Sequence, residues 1–310
     1  MATATVERSP LDDVALTATI STEGLTKHYG KNLALEALDL QVPAGSVFGY
    51  LGPNGAGKTT TIRLLMGLLR PTAGSARVLG LDSVSQRQAV QRRVGYLPGD
   101  FVGYKNLTGA EYLRFLLDLR RHDDQNVMLA LADRLDLPLD RHIGDLSHGN
   151  RQKVGLIQAF MHEPELLILD EPTSGLDPLV QQEFLALVRE AKDAARTVFL
   201  SSHILAEVEA VADTVAILRR GRLVLTERLE TLKQRATHRI EIEFSQPVTT
   251  ETVIAAPGIR DVLMDGRTAL ITVEGSAAGL FRLLGPMGIE RVRTHEADLE
   301  DIFLSHYQES

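Results

Sequence analysis

Two kinds of apolar patterning alternate along the chain. Residues 47–51, 94–97, 166–169, 197–200 and 215–218 are short, almost unbroken apolar runs, which predict strands buried on both faces. Between them the apolar positions recur every three to four residues. In 59–69, for example, Ile62, Leu65, Met66 and Leu69 share one face, and 110–119, 127–135, 151–161, 179–191 and 206–212 repeat the pattern. Such alternation predicts a largely parallel sheet covered by helices on both sides. A strand over 37–42 ends at Pro43-Ala44-Gly45, and 215–218 and 222–226 read as a hairpin turning at Arg220-Gly221.

After a polar helix over 229–235 the period changes. Ile240, Ile242 and Phe244 alternate with polar residues, as a half-exposed strand requires. A short helix near 251–255 follows, then a hairpin of 259–264 and 269–273 around Asp265-Gly266, a helix over 277–284 and a strand over 289–293. That order, β-α-β-β-α-β, is the split arrangement of ferredoxin-like domains. A helix over 298–307 closes the series. The expected organisation is a flexible tail (1–17, polar, with Ser9-Pro10), a large α/β domain (18–235) and a small α+β accessory domain (236–310).

Composition narrows what such a chain does. Lys and Arg number 33 against 41 Asp and Glu, a formal charge of -8, so there is no broad basic footprint and no nucleic acid is expected as a partner. The absence of cysteine excludes disulfide frameworks, thiolate metal sites and cysteine nucleophiles. No apolar run reaches the roughly 18–20 residues of a membrane span. The first residues, with Glu7, Asp12 and Asp13, lack an apolar signal core. A soluble chain is expected, meeting any membrane through a partner.

Chemistry concentrates in two places. Gly52-Pro53-Asn54-Gly55-Ala56-Gly57-Lys58-Thr59 fits G-x-x-x-x-G-K-[ST] between a strand and a helix. Glycines let the backbone curl so that its N–H groups converge on phosphate oxygens, and the helix adds its positive end. Lys58 then reaches the β- and γ-phosphates, the Thr59 hydroxyl is placed for Mg²⁺, and Thr60 follows in the same turn. Downstream, the apolar strand 166–169 delivers Asp170 and Glu171 to its carboxyl end. Asp170 suits the Mg²⁺ shell and Glu171 suits polarising an attacking water.

With these two halves in place, the segment Leu146-Ser147-His148-Gly149-Asn150-Arg151-Gln152-Lys153 resembles the signature motif of ATP-binding cassette (ABC) ATPases. Ser174-Gly175-Leu176-Asp177 resembles their D-loop, Ser201-Ser202-His203 their switch histidine, and Tyr29 the aromatic residue that stacks on adenine. The resemblance implies a P-loop NTPase nucleotide-binding domain that binds and hydrolyses ATP with Mg²⁺. It also implies a head-to-tail dimer, in which Ser147, His148, Gly149 and Asp177 of one copy face the nucleotide held by the other. Ser147 and Gly149 equally suit an ordinary helix start.

Two departures stand out. Where the family usually has Gln after Tyr96-Leu97-Pro98, this chain has Gly99 and then Asp100, so the metal ligand is Asp100, water or neither. The signature carries His148 and Asn150 where Gly and Gln are common. Ala297-Asp298-Leu299-Glu300-Asp301-Ile302-Phe303-Leu304 resembles the close of the C-terminal extension of bacterial type-2 ABC exporter ATPases, which include drug and antibiotic self-resistance pumps. Polytopic membrane permease subunits, docking near Phe101, Tyr104 and the helix after Thr108, and a place on the cytoplasmic face of the membrane are implied in turn. The alternatives are a non-transport ABC ATPase and a ligand-sensing regulator.

Overall fold

The computed structural model describes residues 18–122, 124–235, 237–256, 258–274 and 277–295. The expected tail over 1–17 and the closing helix over 298–307, with its motif, lie outside the described residues. The chain divides into two compact units, Met1–Thr226 and Glu227–Ser310.

The first unit opens with β1 (Ala18–Tyr29), β2 (Asn32–Pro43) and β3 (Val47–Leu51), followed by α1 (Lys58–Leu65). Next come β4 (Ala73–Val78), β5 (Leu81–Asp82), α2 (Arg87–Arg93), β6 (Val94–Leu97), α3 (Gly109–Arg120) and α4 (Asn126–Arg134). Then α5 (His148–Phe160), β7 (Leu166–Asp170), α6 (Pro178–Asp193), β8 (Thr197–Ser202), α7 (Leu205–Glu209), β9 (Thr214–Arg219) and β10 (Arg222–Arg228). Two sheets result. One has the order β10-β9-β3-β8-β7-β6, in which β9, β3, β8, β7 and β6 pair in parallel. The other, β2-β1-β4-β5, is antiparallel throughout.

β3 and β7 are buried at every residue, and so is β8. Central parallel strands have both faces covered, which is why these segments read as continuous apolar runs. Phe199 on β8 stacks on Phe48 of β3 at 5.8 Å between ring centres and meets Tyr50 at 5.2 Å.

Some boundaries differ from expectation. α1 stops at Leu65, not 69, because Gly67 turns into the left-handed region (φ 64), where a Cβ would lie 2.2 Å from the Ser83 carbonyl oxygen. Leu69 keeps its apolar phase because it still packs on the core. α5 starts three residues earlier than the periodicity predicts, since Ser147 caps it. β4, β5 and α2 were not legible: Ala73–Val78 contains a glycine and an exposed arginine, and it takes its strand geometry from pairing with β1.

The second unit contains α8 (Leu229–Arg235), β11 (Thr237–Phe244), α9 (Thr250–Ile254), β12 (Ile259–Asp265), β13 (Thr268–Glu274), α10 (Ala278–Leu284) and β14 (Ile289–His295). Its sheet, β12-β13-β11-β14, is antiparallel, and Ile240, Ile242, Phe244, Ile271 and Leu280 form its core. This is the ferredoxin-like order expected from the alternation.

α5 sits unusually close to β6. A Cβ at Gly95 would lie 2.1 Å from the Ala159 carbonyl oxygen, and one at Gly155 would lie 2.5 Å from Leu97 Cδ1. Gly95→Ala is therefore expected to force the helix off the sheet at a cost of about 1–3 kcal/mol. A lowered melting temperature in a thermal unfolding scan checks this; an unchanged one contradicts the close approach.

Candidate nucleotide-hydrolysis site

β3, β6, β7 and β8 end level with one another. Leu51 pairs with Ser202, Asp170 with Ser201 and Leu97 with Leu169. Parallel strands that run together present their following loops on one edge, where α/β sheets hold ligands. Gly52 follows β3, Gly99 stands two residues beyond β6, Glu171 follows β7, and His203 follows β8.

The loop after β3 is shaped by its glycines. Gly57 is left-handed (φ 112), and a Cβ there would lie 2.7 Å from the Ala34 carbonyl oxygen; one at Gly52 would lie 2.5 Å from that of Leu218. The Ala56 carbonyl accepts from the Gly221 N–H at 2.8 Å, and the Gly221 carbonyl accepts from the Glu36 N–H at 2.8 Å, so the loop is pinned to β2 and the β9–β10 turn. Gly57 caps α1 without a side chain, and the first turn of α1 carries no acid. That leaves the positive end of the helix turned to the hollow. Behind it, the buried Tyr50 hydroxyl lies 3.1 Å from Thr61 Oγ1, tying β3 to α1; burial pushes this phenol well above its usual range. The resulting hollow, about 200 Å³, is lined by Pro53, Asn54, Gly55, Gly57, Thr59 and Thr60, with Lys58 and Glu171 beside them.

Asp170 is fully buried at the end of β7. Its Oδ1 accepts from Ser201 Oγ at 2.5 Å, whereas Oδ2 has no hydrogen-bond partner among the described residues. A buried carboxylate oxygen left open is costly without a cation or donor. One carboxylate plus the Thr59 hydroxyl fits Mg²⁺, which keeps several waters and shares its shell with substrate phosphates. Among the described residues no cluster of three or more acids and histidines stands ready for a metal. At Gly99 a Cβ would sit 3.3 Å from the open oxygen, so this position places no side chain of its own beside Asp170.

Glu171 turns sharply out of β7 with φ 48, a left-handed conformation disfavoured for a residue with a Cβ. The turn is held by its N–H, which donates to the Ser201 carbonyl at 3.1 Å. The carboxylate is shared. Lys58 Nζ forms an ion pair with Oε1 at 3.0 Å, and His203 Nδ1 lies 2.6 Å from Oε2. Lys58 also donates to the Gly52 carbonyl at 2.5 Å and is 5% exposed, while His203 is 47% exposed. Three residues from three loops thus meet at one carboxylate.

Other candidate residues lie apart from this hollow. Ser147 caps α5, accepting from the Asn150 N–H at 3.2 Å, and Asp177 caps α6, accepting from Leu179 and Val180. Gly149 and His148 pack against Gly175: a Cβ at Gly149 would lie 2.7 Å from the Gly175 carbonyl oxygen. Ser147, His148, Gly149 and Asp177 do not line the hollow around Lys58. Tyr29 is half exposed at the end of β1, with Lys27 Nζ 5.4 Å from its ring centre. Asp100 is exposed and lines a different hollow, about 340 Å³, with Phe101, Lys105, Ile143, His148 and Arg151.

Two contributors were not anticipated. Ser201 holds Asp170, and its signal was a polar end to an otherwise apolar buried strand. Gln152, 1% exposed on α5, donates to the Glu171 and Pro172 carbonyls at 3.3 and 3.2 Å. It links the helix that Ser147 caps to the backbone of Glu171; its place in the segment resembling the signature motif gave no sign of this contact.

Residues 35–174 match the ABC transporter family. The bacitracin transport ATP-binding protein BcrA of Bacillus licheniformis is 34% identical over 293 residues, 92% of this chain and 96% of that protein. The daunorubicin/doxorubicin resistance ATP-binding protein DrrA of Streptomyces peucetius is 39% identical over 214 residues, 67% of this chain and 64% of its own length. The solved structure of an ATP-binding subunit of an ABC transporter is 31% identical, with a TM-score of 0.65 over 69% of this chain and 92% of that one.

Removing the ammonium beneath the hollow tests its purpose. Lys58→Ala is expected to weaken ATP binding about 10–100-fold, the cost of a lost charge-assisted hydrogen bond or two. Titration with a fluorescent ATP analogue measures it, and unchanged affinity would remove the loop from nucleotide binding.

Proposed function

Because the chain belongs to the ABC transporter family of ATP-binding proteins, we propose that it is the ATP-hydrolysing subunit of a drug- or antibiotic-exporting transporter, working through separate membrane subunits. The observation that carries the reading is the Glu171 carboxylate held between Lys58 and His203 at the edge of the parallel sheet. Similarity to the bacitracin transport protein runs through both units of the chain, which supports the export subfamily in particular.

The steps follow from the side chains. Backbone N–H groups of the loop from Gly52 to Thr60 bind the phosphates of ATP, and Tyr29 offers its ring to adenine. Lys58 leaves Glu171 for the β- and γ-phosphates, freeing the carboxylate. Glu171 then accepts a proton from water as the water oxygen bonds to the γ-phosphorus. The bond from that phosphorus to the β,γ-bridging oxygen breaks, giving ADP and phosphate. His203 keeps hold of Oε2 and so aims the carboxylate. Thr59 and Asp170 would hold Mg²⁺, which neutralises phosphate charge during the transfer. Asp100 lines another hollow, so in this reading water would complete the shell beside Gly99.

Ser147, His148, Gly149 and Asp177, standing away from the hollow of their own chain, fit the reading in which a second copy completes each site head to tail. The exposed Tyr104 and Phe115, in edge contact at 6.1 Å, are the docking region for the membrane subunits. No helix among the described residues is long and apolar enough to cross a membrane; in this reading the chain meets the cytoplasmic face through those subunits.

Glu171→Gln keeps the shape and removes the base. ATP turnover is expected to fall about 10²–10⁴-fold, while the chain gathers in ATP as a dimer on size-exclusion chromatography. Near-normal phosphate release would take Glu171 out of the base role.

A further inference from the structure

His203 is half exposed on a turn between β8 and the short helix α7, yet its ring must hold one orientation to reach Glu171. Exposed side chains on turns do not hold an orientation unaided. The backbone on either side of His203 is fixed by a buried polar pair. Ser202 Oγ accepts from the Ile204 N–H at 2.9 Å, closing a tight turn around His203, and lies 2.9 Å from Glu207 Oε2. The Ile204 carbonyl, at 3.3 Å, is the more distant acceptor for the single hydroxyl proton, so the hydroxyl donates to Glu207.

Glu207 is an expensive residue in this place. It is 8% exposed, and its second oxygen, Oε1, has no hydrogen-bond partner among the described residues. An apolar side chain there would be cheaper to bury. Its neighbour Val208 is driven hard into β3: a Cβ at Gly49 would lie 2.1 Å from Val208 Cγ1, so only glycine admits it. α7 is thereby seated on the sheet, Glu207 is held with it, and Ser202 is held by Glu207.

We propose that Glu207 is a positioning residue for ATP hydrolysis, acting through Ser202 to fix the turn that aims His203 at Glu171. The proposal rests on the role given to His203 above. Glu207 touches neither nucleotide nor water. Its contribution is the orientation of a ring whose loss of alignment by about 1 Å can cost as much as 100-fold in rate.

The test is a double-mutant cycle on the full chain, reading kcat and KM for ATP, affinity for a fluorescent ATP analogue and melting temperature. Glu207→Ala is expected to lower kcat by about 10–100-fold with KM and analogue affinity unchanged. Glu207→Gln, which still accepts from Ser202, restores kcat. In a His203→Ala background, Glu207→Ala produces no further loss. Wild-type kcat in Glu207→Ala overturns the proposal, and so does an undiminished loss when His203 is already absent. A loss of kcat that only tracks a fall in analogue affinity or melting temperature overturns it too. Full turnover in His203→Ala alone would instead remove the role of His203, and the proposal with it.

Discussion

One carboxylate organises the site. Glu171 is gripped by Lys58 on one oxygen and by His203 on the other, and the three residues arrive from the ends of three strands. The grip needs those ends to be level, and the parallel register of β3, β8 and β7 makes them so. It also needs Glu171 to turn out of its strand against its backbone preference, which Ser201 and Gln152 enforce through its N–H and carbonyl. The apolar core beneath, from Phe48 and Phe199 to the glycines that let α5 lie on β6, is what keeps these ends in place.

Before ATP arrives, the pairing of Lys58 with Glu171 satisfies both charges in a mostly buried setting. A bare lysine at 5% exposure would be costly, and so would a carboxylate beside it with no cation. In the proposed reaction the triphosphate replaces the carboxylate as the partner of Lys58, so that substrate binding and release of the base are a single exchange of ion pairs. Among the described residues Asp170 Oδ2 has no partner, the feature that best fits a cation brought with the phosphates.

Much of this was legible in the sequence for a physical reason. Parallel strands buried on both faces leave unbroken apolar runs, and a phosphate loop needs glycine where a Cβ would strike Ala34 or Leu218, so both write themselves into residue type. Contacts between segments leave weaker marks. Ser201 and Glu207 are ordinary polar residues until the fold brings them to Asp170 and Ser202, and β4 becomes a strand only beside β1. Asp100 follows Gly99 in sequence, and it lines a hollow shared with His148 and Arg151.

Ser147, Gly149 and Asp177 are spent within their own chain as helix caps and close-packed backbone, outside the hollow around Lys58. In the proposed function one chain therefore holds half of each hydrolytic site. The most direct measurement is ATP turnover per chain as the protein is diluted at saturating ATP. A site completed by a second copy predicts turnover per chain that falls with dilution as the square-law dependence of dimer formation takes over. Turnover per chain that stays constant down to concentrations where only monomer is present would contradict it.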